Sequence, residues 1–171
     1  MTEVIELPKP IFLDAALGKP IESRVYLFRG ASKDPLKVRL TKTREWEKEM
    51  SKSLERLRAF YTENFALSTY AASWEAVQNA GVHGSRDGEN FRMYQYLCER
   101  GVASGIVDAG SFFRDPKVKE QFESRTPLRE DQLDRSDEIG GRMGVLGYIY
   151  GLSDEIEVDT ELGILWLGKI I

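Results

Sequence analysis

Histidine and cysteine each occur once in the 171 residues of this chain, and their scarcity excludes several kinds of chemistry at the outset. One thiol cannot close an intramolecular disulfide, and two such residues cannot supply the four ligands of a Cys/His zinc cage or a CxxC redox pair. No apolar run of signal-peptide length stands in residues 1–10, where two acids precede the first base. The longest apolar stretch near the C-terminus, residues 145–152, is interrupted by Gly147 and is far too short to cross a bilayer. Neither a GxxxxGK[ST] loop nor a GxGxxG following a strand is present. These absences lead us to expect a protein of a reducing, cytoplasm-like compartment, with no membrane segment, no cofactor, no metal and no assigned catalytic residue.

Hydrophobic residues make up 42% of the sequence and charged residues 30%, enough for a buried core that needs no covalent staple. The net charge of −4 is unevenly spread. Residues 24–58 carry eleven bases and five acids, a net +6, whereas residues 128–171 carry ten acids and four bases, a net −6. The two remaining stretches, 1–23 and 59–127, are each −2. Such a chain holds two oppositely charged segments, each able to attract a partner of the other sign. They can also neighbour each other and cancel, or be ordinary solvated faces.

Periodicity divides the chain into strands at both ends and a helical middle. Residues 24–29 are β-rich, and residues 36–41 alternate Leu36, Val38 and Leu40 with Lys37, Arg39 and Thr41, which predicts a hairpin closed by the loop 30–35. The prolines and glycine of the first 23 residues suit an extended arm or edge strands. Trp46, Met50, Leu54, Leu57 and Tyr61 form one apolar helical stripe, and Leu67, Tyr70, Ala71, Trp74 and Val77 a second that stops at Gly81. A third helix is expected over about residues 88–100, burying Phe91, Tyr94, Leu97 and Cys98. Asp115-Pro116 and Thr126-Pro127 are cap-then-proline helix starts. Residues 155–158 and 163–167 flank a turn and predict a final hairpin. We therefore expect α+β architecture, with residues 1–23 an arm or edge and residues 24–171 one domain of hairpins packed on about five helices.

Candidate functional residues fall into four groups. Arg24, Lys37, Arg39, Lys42 and Arg44 are a basic face suited to a phosphate backbone or an acidic partner. Glu155, Glu157, Asp159 and Glu161 alternate, so a strand would set four carboxylates on one face, without the glycine-turned loop of an EF-hand. Gly140, Gly144, Gly147 and Gly151 recur at helical spacing, marking either a tight crossing inside the domain or a groove for a partner or a second copy. His83 and Arg86 lie in a glycine-bounded loop with Ser85 and Asp87, a candidate for phosphate or partner contact. Cys98 reads as a small buried hydrophobe.

Three function classes follow. The first is a non-enzymatic protein–protein interaction or assembly component acting through charge and shape, with another protein or copies of itself, stacked head to tail if the charged segments lie on opposite sides. The second is a nucleic-acid contact through the basic segment. The third rests on a resemblance: Arg29-Gly30, Ser68-Thr69 and Glu155-Ile156-Glu157 are similar to the arginine, serine and glutamate elements of ADP-ribosyltransferases, which would imply transfer chemistry at Glu157.

Overall fold

Two long helices and an antiparallel sheet carry most of the apolar residues. The computed structural model describes residues 6–30, 36–81, 89–108, 110–126 and 145–171. Strand β1 (Pro20–Arg29) is followed by helices α1 (Leu36–Phe60) and α2 (Glu63–Asn79), and strands β2 (Asn90–Cys98) and β3 (Gly101–Val107) come next. Helix α3 (Pro116–Glu123) precedes strands β4 (Glu155–Asp159) and β5 (Ile164–Ile170). The five strands form one antiparallel sheet in the order β1-β2-β3-β5-β4. This is the expected α+β class in a single compact domain, with strands from both ends of the chain in one sheet.

Residues 36–41 and 90–98 depart from expectation. Residues 36–41 are the first turns of α1, not a strand, and β1 pairs with β2 instead. Leu36 and Leu40 satisfy a four-residue step as well as a two-residue one. The 25-residue helical period running through Trp46, Met50 and Leu57 decides between them. Residues 90–98 form β2, not a helix. From Met93 onward every residue of this strand is buried, so no polar alternation betrays it, and a helical spacing of Phe91, Tyr94 and Leu97 arises by coincidence. The terminal hairpin β4–β5 and the Asp115-capped helix α3, with Val118 and Phe122 inward, form as expected.

One face of the sheet is covered by α1, α2 and α3. Trp46 meets Phe91 edge-on, its ring centroid 5.7 Å away, and its indole N–H donates to the Arg29 carbonyl at 2.7 Å. Helix α2 turns Ala66, Thr69, Ala72, Ser73, Ala76 and Val77 inward. That face is rotated by about one residue from the expected stripe. Leu67 is 42% exposed, because small side chains are what allow the helix to approach the sheet closely.

The opposite face is covered from β2 across to β4, but not over β1. Residues 6–17 cross it, burying Leu13 and Leu17 beside Tyr94, Tyr96 and Trp166. Tyr96 donates its hydroxyl to the Pro8 carbonyl at 2.8 Å. Residues 11–13 thus lead into a helical turn, Leu13–Leu17, within the stretch expected to be an extended arm or edge strands. Trp166 lies flat against Gly105, where a Cβ would come within 2.4 Å of the indole ring.

Candidate interaction surface

A buried polar seam runs between the helices and the sheet. The Ser53 hydroxyl donates to the Gln95 side-chain carbonyl at 2.8 Å, the Gln95 amide donates to Ser104 Oγ at 3.2 Å, and Ser73 donates to the same oxygen at 3.0 Å. Thr69 and Ser153 line a small cavity beside this chain, and their buried hydroxyls have no protein partner. The space holds about one water molecule, which would complete both hydroxyls. It is a packing feature joining α2 to β3 and β5, and too small for a substrate.

The margins of the sheet differ from each other. At one margin, the Gly30 N–H donates to the Glu89 carbonyl at 3.0 Å, which fixes the ladder's parity. Even-numbered residues of β1 exchange hydrogen bonds with β2, and odd-numbered ones aim their N–H and C=O groups outward. Ser23, Val25 and Leu27 therefore present an unpaired backbone edge, and no described residue hydrogen-bonds to it. Their side chains stand on the sheet face beyond the reach of residues 6–17, with Val25 41% and Leu27 66% exposed. On the helical side, Arg56 of α1 and Arg24 both bind the Glu22 carboxylate. These two guanidiniums, Arg56 foremost, hold the Glu22 carboxyl below the usual range.

At the other margin, side chains occupy two backbone carbonyls. Lys119 of α3 donates to the Val158 carbonyl at 2.8 Å, and Arg125 donates to the Asp154 carbonyl at 2.9 Å. Arg125 takes a left-handed backbone (φ 56) directly after α3, where Thr126 N–H closes on the Gln121 carbonyl at 2.8 Å. A non-glycine residue there costs on the order of 1 kcal/mol, offset by the hydrogen bonds its guanidinium makes to Tyr150 and Asp154.

The expected site residues are distributed as follows. Arg24 is on β1 and Lys42 on α1, where Lys42 reaches the Gly30 carbonyl at 2.8 Å. Arg44 is exposed on α1. Lys37 and Arg39 belong to the first turns of α1, not to the solvent side of a strand. On β4, Glu157 accepts the Ile11 N–H at 2.9 and 3.1 Å and is half-buried, and burial pushes its carboxyl above the usual range. Asp159 accepts the N–H groups of Glu161 and Leu162 at 3.0 and 2.9 Å, closing the β4–β5 turn. Two of the four alternating carboxylates are thus occupied in holding the chain, while Glu161 is exposed and Glu155 partly so.

Gly147 and Gly151 are exposed, and a Cβ on Gly147 would meet nothing within 4 Å, so no close crossing occurs at that position. Gly140, Gly144, His83 and Arg86 lie outside the described residues. Among the described residues, no three His, Cys, Asp or Glu side chains gather as a metal site. No described helix is long and apolar enough to cross a membrane.

Strand order separates the charged segments. β1 and β4 are the two outermost strands, four strand spacings or about 19 Å apart, and no ion pair between described residues joins residues 24–58 to residues 145–171. Five acids of the acidic segment, Glu130, Asp131, Asp134, Asp137 and Glu138, lie outside the described residues. The same strand order keeps Arg29, at the end of β1, and Glu157, on β4, at opposite margins, with Ser68 and Thr69 on α2. The three elements that resembled ADP-ribosyltransferases are not brought together.

Comparison with known proteins finds no matching family model and no matching curated protein.

Sequence reasoning missed Val25 and Leu27 as a surface, and Lys119 and Arg125 as occupants of backbone carbonyls at the far margin. The continuous apolar run 25–28 was the one signal available. It is apolar on both faces of a strand, yet only one of those faces is covered.

Proposed function

We propose that the protein is an interaction or assembly component that acts through charge and shape complementarity, engaging another protein or further copies of itself. The observation that carries this reading is the open β1 edge, where unpaired backbone groups and exposed Val25 and Leu27 coincide. An edge of this kind recognises an extended partner strand through main-chain hydrogen bonds, with side chains adding selectivity. The basic β1/α1 margin and the acidic carboxylates of the opposite margin supply long-range steering, which accelerates encounter and weakens as salt is added.

The nucleic-acid reading has less behind it. Arg24 and Arg56 are committed to Glu22, Arg58 to Glu63 and Lys52 to Glu49, which leaves few described bases to neutralise phosphates. Sedimentation velocity on the full chain at low and high salt tests the proposal. Association that weakens with salt is expected. A chain that stays strictly monomeric at high concentration and low ionic strength would exclude the self-assembling form, leaving only a different protein as partner.

A further inference from the structure

Resting on the interaction reading, we propose that the β1 edge takes a second copy of itself, antiparallel across a two-fold axis at Ser23. The pairing joins two five-stranded sheets into one of ten strands. The argument starts from the two margins. A sheet that grew head to tail would need β4 as an acceptor, but Lys119 and Arg125 occupy carbonyls there. On β1 the Arg29 carbonyl is taken by Trp46, but no described residue occupies the outward groups of Ser23, Val25 and Leu27. Helix α1 packs on the helical face of β1, with Arg56 on Glu22 and Trp46 on the Arg29 carbonyl, and none of its described side chains hydrogen-bonds to the backbone of Ser23, Val25 or Leu27. One open edge per copy gives a contact of an edge with its own counterpart, which closes at two copies.

The register follows from charge. With the axis at Ser23, Glu22 stands opposite Arg24 of the second copy, and Arg24 opposite its Glu22. The four side chains alternate in sign around the axis. Shifting the axis to Val25 would set Arg24 opposite Tyr26 and bring the two copies' Arg24 residues to adjacent diagonal positions, with no anion between them.

The Ser23 axis also answers the objection that two basic segments repel. Ser53 reaches Gln95, the cross-strand partner of Arg24, and Arg56 reaches Glu22, so the α1 turns carrying Glu49, Lys52, Glu55 and Arg56 run alongside residues 22–24. With Glu22 and Arg24 these make three acids and three bases, a neutral patch. The described bases Arg29, Lys42, Arg44 and Lys48 lie away from the axis in both copies, because the strands run antiparallel.

The test uses the full chain. Val25→Pro removes an outward N–H without touching the ladder to β2, a position where an edge strand tolerates proline. We expect self-association at least tenfold weaker, with the monomer's circular dichroism unchanged. Because that variant can fail to fold, Ser23→Cys provides a gain of signal. Mild oxidation is expected to yield a covalent dimer, since paired strands hold Cα atoms about 5.5 Å apart, within disulfide range. Wild-type protein, whose only thiol is the buried Cys98, should give none.

Wild-type self-association that survives intact in Val25→Pro would overturn the β1 pairing while leaving the interaction reading standing. A Val25→Cys dimer without a Ser23→Cys dimer would overturn the register. A monomeric wild type that binds only an unrelated extended peptide would overturn the choice of a second copy.

Discussion

Replacing Gly105 with alanine tests the packing that holds the two margins of the sheet apart. The added Cβ would lie 2.4, 2.5 and 2.6 Å from three atoms of the Trp166 ring, against an ordinary carbon contact of roughly 3.5–4 Å, so the ring must retreat by about 1 Å. It has nowhere to go. Trp166 is fully buried, with Tyr94 and Tyr96 ring centroids 6.4 and 6.2 Å away and the segment containing Leu13 and Leu17 closing the layer. Overpacking of a closed site costs about 1–3 kcal/mol, which for a domain of this size lowers Tm by roughly 2–4 °C per kcal/mol. Urea unfolding followed by circular dichroism should give a lower midpoint at unchanged slope. The decisive measurement is a double-mutant cycle with Trp166→Val, where removing the ring should abolish most of the alanine's cost, a coupling of at least about 1 kcal/mol. An equal cost in both backgrounds, or none in the wild type, would refute the contact.

Three further expectations follow. Glu157→Gln alters the pH dependence of stability: burial raises this carboxyl above 4.5 in the folded protein, so folding takes up a proton and is favoured at low pH, and that advantage is lost as pH rises through the raised value. The stability of wild type relative to Glu157→Gln should therefore decline as pH rises above 4.5, and denaturant midpoints measured across that range that show no such decline would contradict the burial argument. Cys98 is buried, and burial pushes its thiol up to about 11, so labelling by a thiol reagent at neutral pH should be slow in the native state and rapid in denaturant; fast native labelling would count against its burial. Gly147→Ala meets open space in a helical turn and should be neutral or stabilising by up to about 1 kcal/mol, as read by thermal unfolding; a clear loss of stability would restore the tight-crossing reading of that glycine.

Legibility varied with the range of the determining interactions. Asp115-Pro116 specified the start of α3 because a cap and a proline act within one turn, and the β4–β5 hairpin was visible because its turn and both strands lie within sixteen residues. The α1 stripe was readable from Trp46, Met50 and Leu57, since a long period averages over local exceptions. Residues 36–41 misled because six residues fit both periods. Residues 90–98 misled because burial on both faces erases alternation, and β2 receives that burial from helices on one side and from the N-terminal segment on the other.

By itself, the sequence determined the α+β class, the opposed charges of two segments and the scarcity of thiol and imidazole chemistry. These follow from composition and short-range period, which need no knowledge of neighbours. Only the tertiary structure decided that β1, from the basic segment, and β4, from the acidic one, lie at opposite margins, because strand order is fixed by contacts between residues as distant as Arg29 and Asn90 or Val107 and Ile164. It alone decided which edge is open. The Val158 carbonyl of β4 is capped by Lys119 from a helix more than thirty residues earlier, and no local pattern in β1 records that no described residue hydrogen-bonds to the backbone of Ser23, Val25 and Leu27.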